Sequence, residues 1–212
     1  MHLFDQFPEL RIGIFGQNDT EDSDEKCGKT LGFDRTAKLH QVHGNIIHIV
    51  DEPTGFETQG DGLITNTQGL ALSVRWADCQ SFVIYAPEKK VLGVLHAGWR
   101  GMAAKAITAL YESLKTFDVT PEETYVGISP SLCKNCADFS DPLNELPAHM
   151  HPFVDGKLVD LQAAADHELA SLNVPKDHIE RHPACTRCGE GYWSWRRDKK
   201  EDARNWLVAG MA

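Results

Sequence analysis

The stretch Val91-Leu92-Gly93-Val94-Leu95-His96-Ala97-Gly98-Trp99-Arg100-Gly101 decides the fold of this chain. Valine and leucine side chains suit a buried pleated surface, so its first half reads as a strand. From Met102 onward, Ala103, Ala106, Ile107, Leu110, Leu114 and Phe117 return at helical spacing, with Pro121 beyond them. That spacing predicts one long amphipathic helix lying on the sheet. Working outward, residues 46–50, 70–74, 81–86, 91–95 and 124–128 read as strands, bounded by Gly, Pro or Asp. A second helix is signalled by Asp160 as N-cap, with Leu161, Ala164, Ala165, Leu169 and Leu172 on one face and Pro175 after it. Residues 19–29 and 135–152 read as extended loops. The expectation is a mixed α/β fold, with one domain over residues 1–212 and helices packed on a central sheet.

An imidazole at the point where a buried strand gives way to a helix needs a partner. His43, in Gln41-Val42-His43-Gly44, and Cys79, in Ala77-Asp78-Cys79, stand at the edges of other apolar strands. Taken together, His43, Cys79 and His96 read as one metal site. Three protein ligands leave a tetrahedral ion one open position, which is the arrangement of a catalytic rather than a structural centre. Two imidazoles and a thiolate suit zinc and also copper, so ligand type leaves the metal open, with zinc preferred. Taken singly, each of the three also reads as an ordinary core residue, and His40 and His48 compete with His43 as ligand. Asp78 is a candidate for orienting a ligand.

The chain of 212 residues carries a formal charge of −10, and the acidic run at residues 19–25 adds to it locally. Such a balance repels polyanions, so small substrates are expected and nucleic acid is not. No apolar run approaches the length of a membrane span, and the first residues lack a basic segment followed by an apolar core; a cytoplasmic address is expected.

Six cysteines in such a chain do not make a disulfide scaffold. Four fall into two C-x-x-C elements, Cys133-Lys134-Asn135-Cys136 and Cys185-Thr186-Arg187-Cys188. They read as a second metal site of four thiolates or as a redox-labile pair, with unlinked thiols as the plain alternative. Cys27, in a polar stretch, reads as incidental.

Arg100 and the amides after it fall at the start of a helix, where backbone N–H groups attract anions, so a phosphate beside His96 is one reading and a surface ion pair the other. The run Tyr192-Trp193-Ser194-Trp195-Arg196-Arg197-Asp198 offers aromatic faces for a base and, in Arg196 and Arg197, forks for phosphate or carboxylate, with a packed C-terminal cluster as the plainer reading.

Gln41-Val42-His43-Gly44, Asp61-Gly62-Leu63-Ile64, Ala77-Asp78-Cys79, His96-Ala97-Gly98-Trp99-Arg100-Gly101 and Ser194-Trp195-Arg196-Arg197-Asp198 resemble, in order and register, the motifs of a bacterial family. It is the purine nucleoside phosphorylase family once called multicopper polyphenol oxidases or laccase-domain proteins. The resemblance runs from about residue 38 to the end. It implies a single-domain mixed α/β fold and one metal, generally zinc, on His43, Cys79 and His96. It also implies phosphorolysis of adenosine, inosine, guanosine and methylthioadenosine, together with adenosine deamination. His43, Cys79, His96 and Arg100 are then the expected catalytic residues, with Arg100, Arg196 and Arg197 on nucleoside or phosphate. Two departures stand out. The family's N-terminal element is shortened to residues 11–32, and its Gly-Pro-x-Ile-Gly-Pro-Cys-Cys-Tyr-Glu stretch appears as residues 129–138 without the glycines and tyrosine. A copper phenol oxidase remains open but has only one His-x-His, His149-Met150-His151, to draw on. A non-catalytic zinc module built on the cysteine pairs is the third reading.

Overall fold

A computed structural model describes residues 2–212. In chain order the first half runs β1 (Leu10–Phe15), α1 (Asp24–Thr30), β2 (Arg35–Ala37), β3 (Ile47–Ile49), β4 (Gly62–Thr65), β5 (Leu70–Trp76), β6 (Gln80–Ala86), β7 (Val91–Ala97), α2 (Trp99–Ala103) and α3 (Ala106–Leu114). There follow β8 (Tyr125–Ile128), α4 (Pro142–Glu145), β9 (Val154–Asp155), β10 (Leu158–Val159), α5 (Leu161–Ser171), β11 (Ile179–Arg181), α6 (Trp195–Asp198) and β12 (Asn205–Met211).

The strands form two main sheets rather than one. A six-stranded sheet has the order β11-β8-β6-β7-β4-β3, a four-stranded sheet the order β1-β12-β5-β2, and β9 and β10 make a small hairpin. Side-chain alternation explains how β6 is buried along its whole length. Phe82, Ile84 and Ala86 join α3 and α5 in one core, while Val83 and Tyr85 face the other sheet in a second core with Leu72, Val74, Leu207 and Ala209. On the far side of the four-stranded sheet, Ala71 and Val208 meet Phe15, Phe33 and Cys27 of α1. The layers are therefore helix, sheet, sheet, helix. Truncating a buried leucine of the inner layers, such as Leu92 or Leu95, removes about 2–5 kcal/mol of stability.

Three expectations are corrected. The single helix from Met102 to Phe117 is broken into α2 and α3 at Lys105, whose backbone is left-handed, and a 3-10 turn follows at Lys115–Phe117. Residues 19–29 are not all loop: Ser23 caps α1 by accepting a hydrogen bond from the Lys26 amide. In the stretch 135–152, α4 and 3-10 turns replace an open loop. The helix at residue 161 begins as expected, with the Asp160 side chain accepting from the Ala163 amide.

Candidate metal centre and cleft

His96 lies near the C-terminal end of β7, 2% exposed. Cys79 occupies the turn entering β6, where residue 81 pairs with residue 96. His43 lies on the loop after β2 with a left-handed backbone, φ 60°. The strand pairing thus brings residues far apart in sequence to one end of the sheet, where one ligand atom from each lies within 4.8 Å of the others. The His43 and His96 rings stand nearly perpendicular, 87°, with centroids 4.8 Å apart. Gly98 is required beside them: a Cβ there would sit 2.8 Å from Cys79 Sγ and 3.4 Å from His43 Cδ2.

Asp61 is the anchor. Fully buried at the start of β4, it accepts from the His43 amide (2.9 Å) and the Gly44 amide (2.6 Å), and its Oδ1 lies 2.9 Å from His96 Nδ1. Its carbonyl takes the His96 amide at 2.8 Å. This carboxylate fixes the His96 imidazole and the backbone of the loop that carries His43, placing the His96 proton on Nδ1 and leaving Nε2 as the ligand atom. Burial pushes the Asp61 carboxyl up, but the His96 hydrogen bond and the two loop amides outweigh it and hold the group below its usual range.

Burial likewise pushes the Cys79 thiol up. The attraction of His96 and hydrogen bonds from His43 and His96 overcome it and bring the thiol down to about 6. For His96, burial pushes down, while the Cys79 thiolate and the Asp61 carboxylate raise it to about 9. Each of the two groups thus favours the charged form of the other, and the lowered thiol is drawn toward the thiolate that a metal ligand requires. The donor set fits zinc: two imidazoles, a thiolate, and a carboxylate behind one imidazole.

The three residues open into a cleft of about 800 Å³. One wall is a ladder of rings and guanidinium groups. Arg100 lies 4.3 Å above Trp99, Trp99 meets the Phe139 edge at 5.9 Å, and Arg196 lies 5.7 Å from Phe139. Arg100, expected at a helix start, lies in the first turn of the short α2 and stays exposed. Arg196 lines the cleft and pairs with Asp138 at 2.8 Å. Arg197 does not line it: its guanidinium donates to the carbonyls of Thr186, Gly189 and Tyr192 and to Asp198, tying the C-terminal loop together. Asp78 meets neither imidazole. Its carboxylate accepts from Thr186 Oγ1 (2.8 Å) and the Arg196 amide (2.8 Å), and the carboxylate that orients His96 is Asp61. Phe139, which lies inside the expected loop, carried no signal in the sequence.

Cys133, Cys136, Cys185 and Cys188 converge as well, their four sulfurs within 4.8 Å of one another. Cys27 is apart from both groups and fully buried under α1, where burial and the nearby acidic residues push its thiol up to about 12. The polar stretch around it therefore hid a core position.

The site and the layered sheets define an α/β protein with a metal-competent centre at the mouth of a cleft. Residues 17–212 match the family described as multi-copper polyphenol oxidoreductase laccase, and the chain belongs to that family. Among similar proteins is "Purine nucleoside phosphorylase ORF3" of Streptomyces griseus, 28% identical over 82% of this chain and 75% of that one. "Adenosine deaminase RL5", from an unknown prokaryotic organism, is 28% identical over 66% of this chain and 57% of its own. The crystal structure of YlmD from Geobacillus stearothermophilus superposes with a TM-score of 0.82 at 25% identity, covering 97% of this chain and 93% of that one. These likenesses bear out the family expected from the motifs and the mixed α/β fold. Among the described residues, no helix is long and apolar enough to cross a membrane.

Proposed function

We propose that this chain is a zinc-dependent purine nucleoside phosphorylase acting on adenosine, inosine, guanosine and methylthioadenosine. The observation that carries the reading is the convergence of His43, Cys79 and His96 on one point inside a cleft that also presents guanidinium and aromatic groups. The relatives named purine nucleoside phosphorylase support it.

Phosphorolysis requires a positioned phosphate, charge stabilisation as the sugar becomes cationic, and a proton for the departing purine. Arg100 and Arg196 supply positive charge for the phosphate from the two ends of the ladder, and Trp99 and Phe139 between them present rings against which a base packs. His43, Cys79 and His96 would hold the metal, with Asp61 fixing the His96 imidazole and the backbone of His43 from behind. The metal supplies, when bound, positive charge and an open coordination position beside the reacting group. The relative named adenosine deaminase favours a second activity of the same centre, removal of the adenosine amino group.

The test is consumption of inosine and adenosine by purified protein with and without phosphate, before and after chelation and return of zinc. Phosphate-dependent release of the base that is lost on chelation, restored by zinc and absent in His43→Ala is expected. Nucleoside loss independent of phosphate overturns the phosphorylase reading, and ammonia release from adenosine reports the deaminase arm. Phenol oxidation with copper and no phosphorolysis with zinc would favour the oxidase suggested by the family's description.

A further inference from the structure

We propose that Cys133, Cys136, Cys185 and Cys188 hold a closed, structural zinc ion that joins two irregular segments into one wall of the cleft and braces the turn carrying Cys79.

Four sulfurs about 2.3 Å from a tetrahedral ion stand about 3.8 Å from one another. Cys133 Sγ and Cys188 Sγ are 4.0 Å apart, and all four lie within 4.8 Å, near that spacing and far from the roughly 2.05 Å of a disulfide. The backbone is shaped for the purpose. The Cys133 amide donates to Cys185 Sγ at 3.3 Å, an N–H···S contact that spreads thiolate charge. The second pair sits in a tight turn, with the Gly189 amide on the Cys185 carbonyl at 2.9 Å. A Cβ at Gly189 would lie 2.5 Å from that carbonyl, so only glycine fits. Four thiolates around a divalent ion leave net negative charge, and Arg187 and Arg197 reach into the same turns, Arg187 onto the Cys136 carbonyl at 3.0 Å. No fourth coordination position is left for a reactant, so the ion is structural.

The surroundings need such a clamp. The hydrophobic cluster here contains only Leu132, Cys136, Ala137 and Cys185, with Cys133 and Leu161 at its border. So small a core is a weak restraint on two long irregular stretches, and small cores are where metals are used as staples. Both stretches lead straight to the first centre. Leu132 donates its amide to the Asp78 carbonyl, Thr186 donates to the Asp78 carboxylate and to the Ser131 carbonyl, and the Arg196 amide takes the other Asp78 oxygen. Asp78, held at φ 84°, is the neighbour of Cys79. The clamp therefore positions a ligand of the other centre through Asp78.

The proposal stands apart from the catalytic reading and is tested without activity. The full-length chain carrying Cys79→Ser, and separately His43→Ala as the more exposed ligand, is purified and its metal content measured. Each should retain about one zinc per chain, and cobalt put in its place should show the intense visible bands and thiolate charge transfer of a four-sulfur site. Adding Cys133→Ser and Cys188→Ser should remove that ion, lower Tm by several degrees and speed proteolysis within residues 133–188 roughly tenfold. Variants of the first centre that hold no metal, cobalt spectra without sulfur ligation, or a Cys133–Cys188 disulfide in the intact mass of fresh protein would each overturn the proposal. A second zinc in a wild-type chain that shows no phosphorolysis would sink the catalytic reading alone.

Discussion

The His43, Cys79 and His96 group and the four-cysteine group differ in what holds them. The first sets Cys79 and His96 at the paired ends of β6 and β7 in the larger sheet, takes His43 from the loop after β2, and is anchored from behind by the buried Asp61. The second rests on turns, in a hydrophobic cluster whose four buried residues include two of the cysteines themselves, Cys136 and Cys185, beside Leu132 and Ala137. A sheet fixes its ligands before any ion arrives and leaves one side facing the cleft. Turns must be fixed by the ion itself, and they wrap it completely. The contrast predicts that removing metal from the first group abolishes chemistry and leaves the fold, whereas removing it from the second loosens structure.

The largest effect should come from Asp61→Ala. It strips partners from the His43 and Gly44 amides and from His96 together, and breaking such a buried polar set costs about 3–5 kcal/mol in denaturant unfolding. Asp61→Asn keeps the volume and should instead show a roughly 10–100-fold loss of zinc affinity; unchanged affinity would mean that the strand ends alone position the ligands.

Stepwise metal removal comes next. A mild chelator should empty the open centre first, ending phosphorolysis with little change in Tm, whereas a thiol-reactive mercurial should release the second ion and lower Tm. Simultaneous loss of both ions would erase the distinction between them. Gly98→Ala sharpens the comparison on one side only: its Cβ would crowd Cys79 Sγ at 2.8 Å. We expect about tenfold weaker zinc binding at that centre and about 1–3 kcal/mol of destabilisation from overpacking, with zinc at the cysteine cluster intact. The smallest structural effect belongs to Arg100→Ala. Exposed and packed only over Trp99, it should move stability by no more than about 0.5 kcal/mol, while KM for phosphate rises more than kcat falls.

The sequence was most legible where burial was heaviest. β5, β6 and β7 are covered on both faces, so they read as nearly unbroken apolar runs whose ends mark the places for Cys79 and His96. It was least legible where tertiary contacts overrule local preference. Ala103-Ala104-Lys105-Ala106 contains no glycine or proline, yet Lys105 turns left-handed so that α3 can lie along the sheet while α2 stays at the cleft. The acidic run before Cys27 suggested a solvated loop, although Ser23 was a usable capping signal and Asp24 is buried, accepting from Ser73 Oγ at 2.6 Å. Asp61 lies 35 residues from His96, and nothing local to it tells which carboxylate closes on which imidazole. The two adjacent arginines illustrate the same limit: α6 turns Arg196 toward the cleft and Arg197 into the loop carbonyls, a choice made by the roughly 100° between neighbouring helix positions.

β12 lies between β1 and β5 in the four-stranded sheet, with residue 10 opposite residue 211. That sheet therefore cannot close until residues 205–211 have left the ribosome, and β1 stays without the strand it pairs with while residues 16–204 are made. During that interval the apolar edges of β1 and β5 are open to other nascent chains, so this half of the molecule is where chaperones have most to guard.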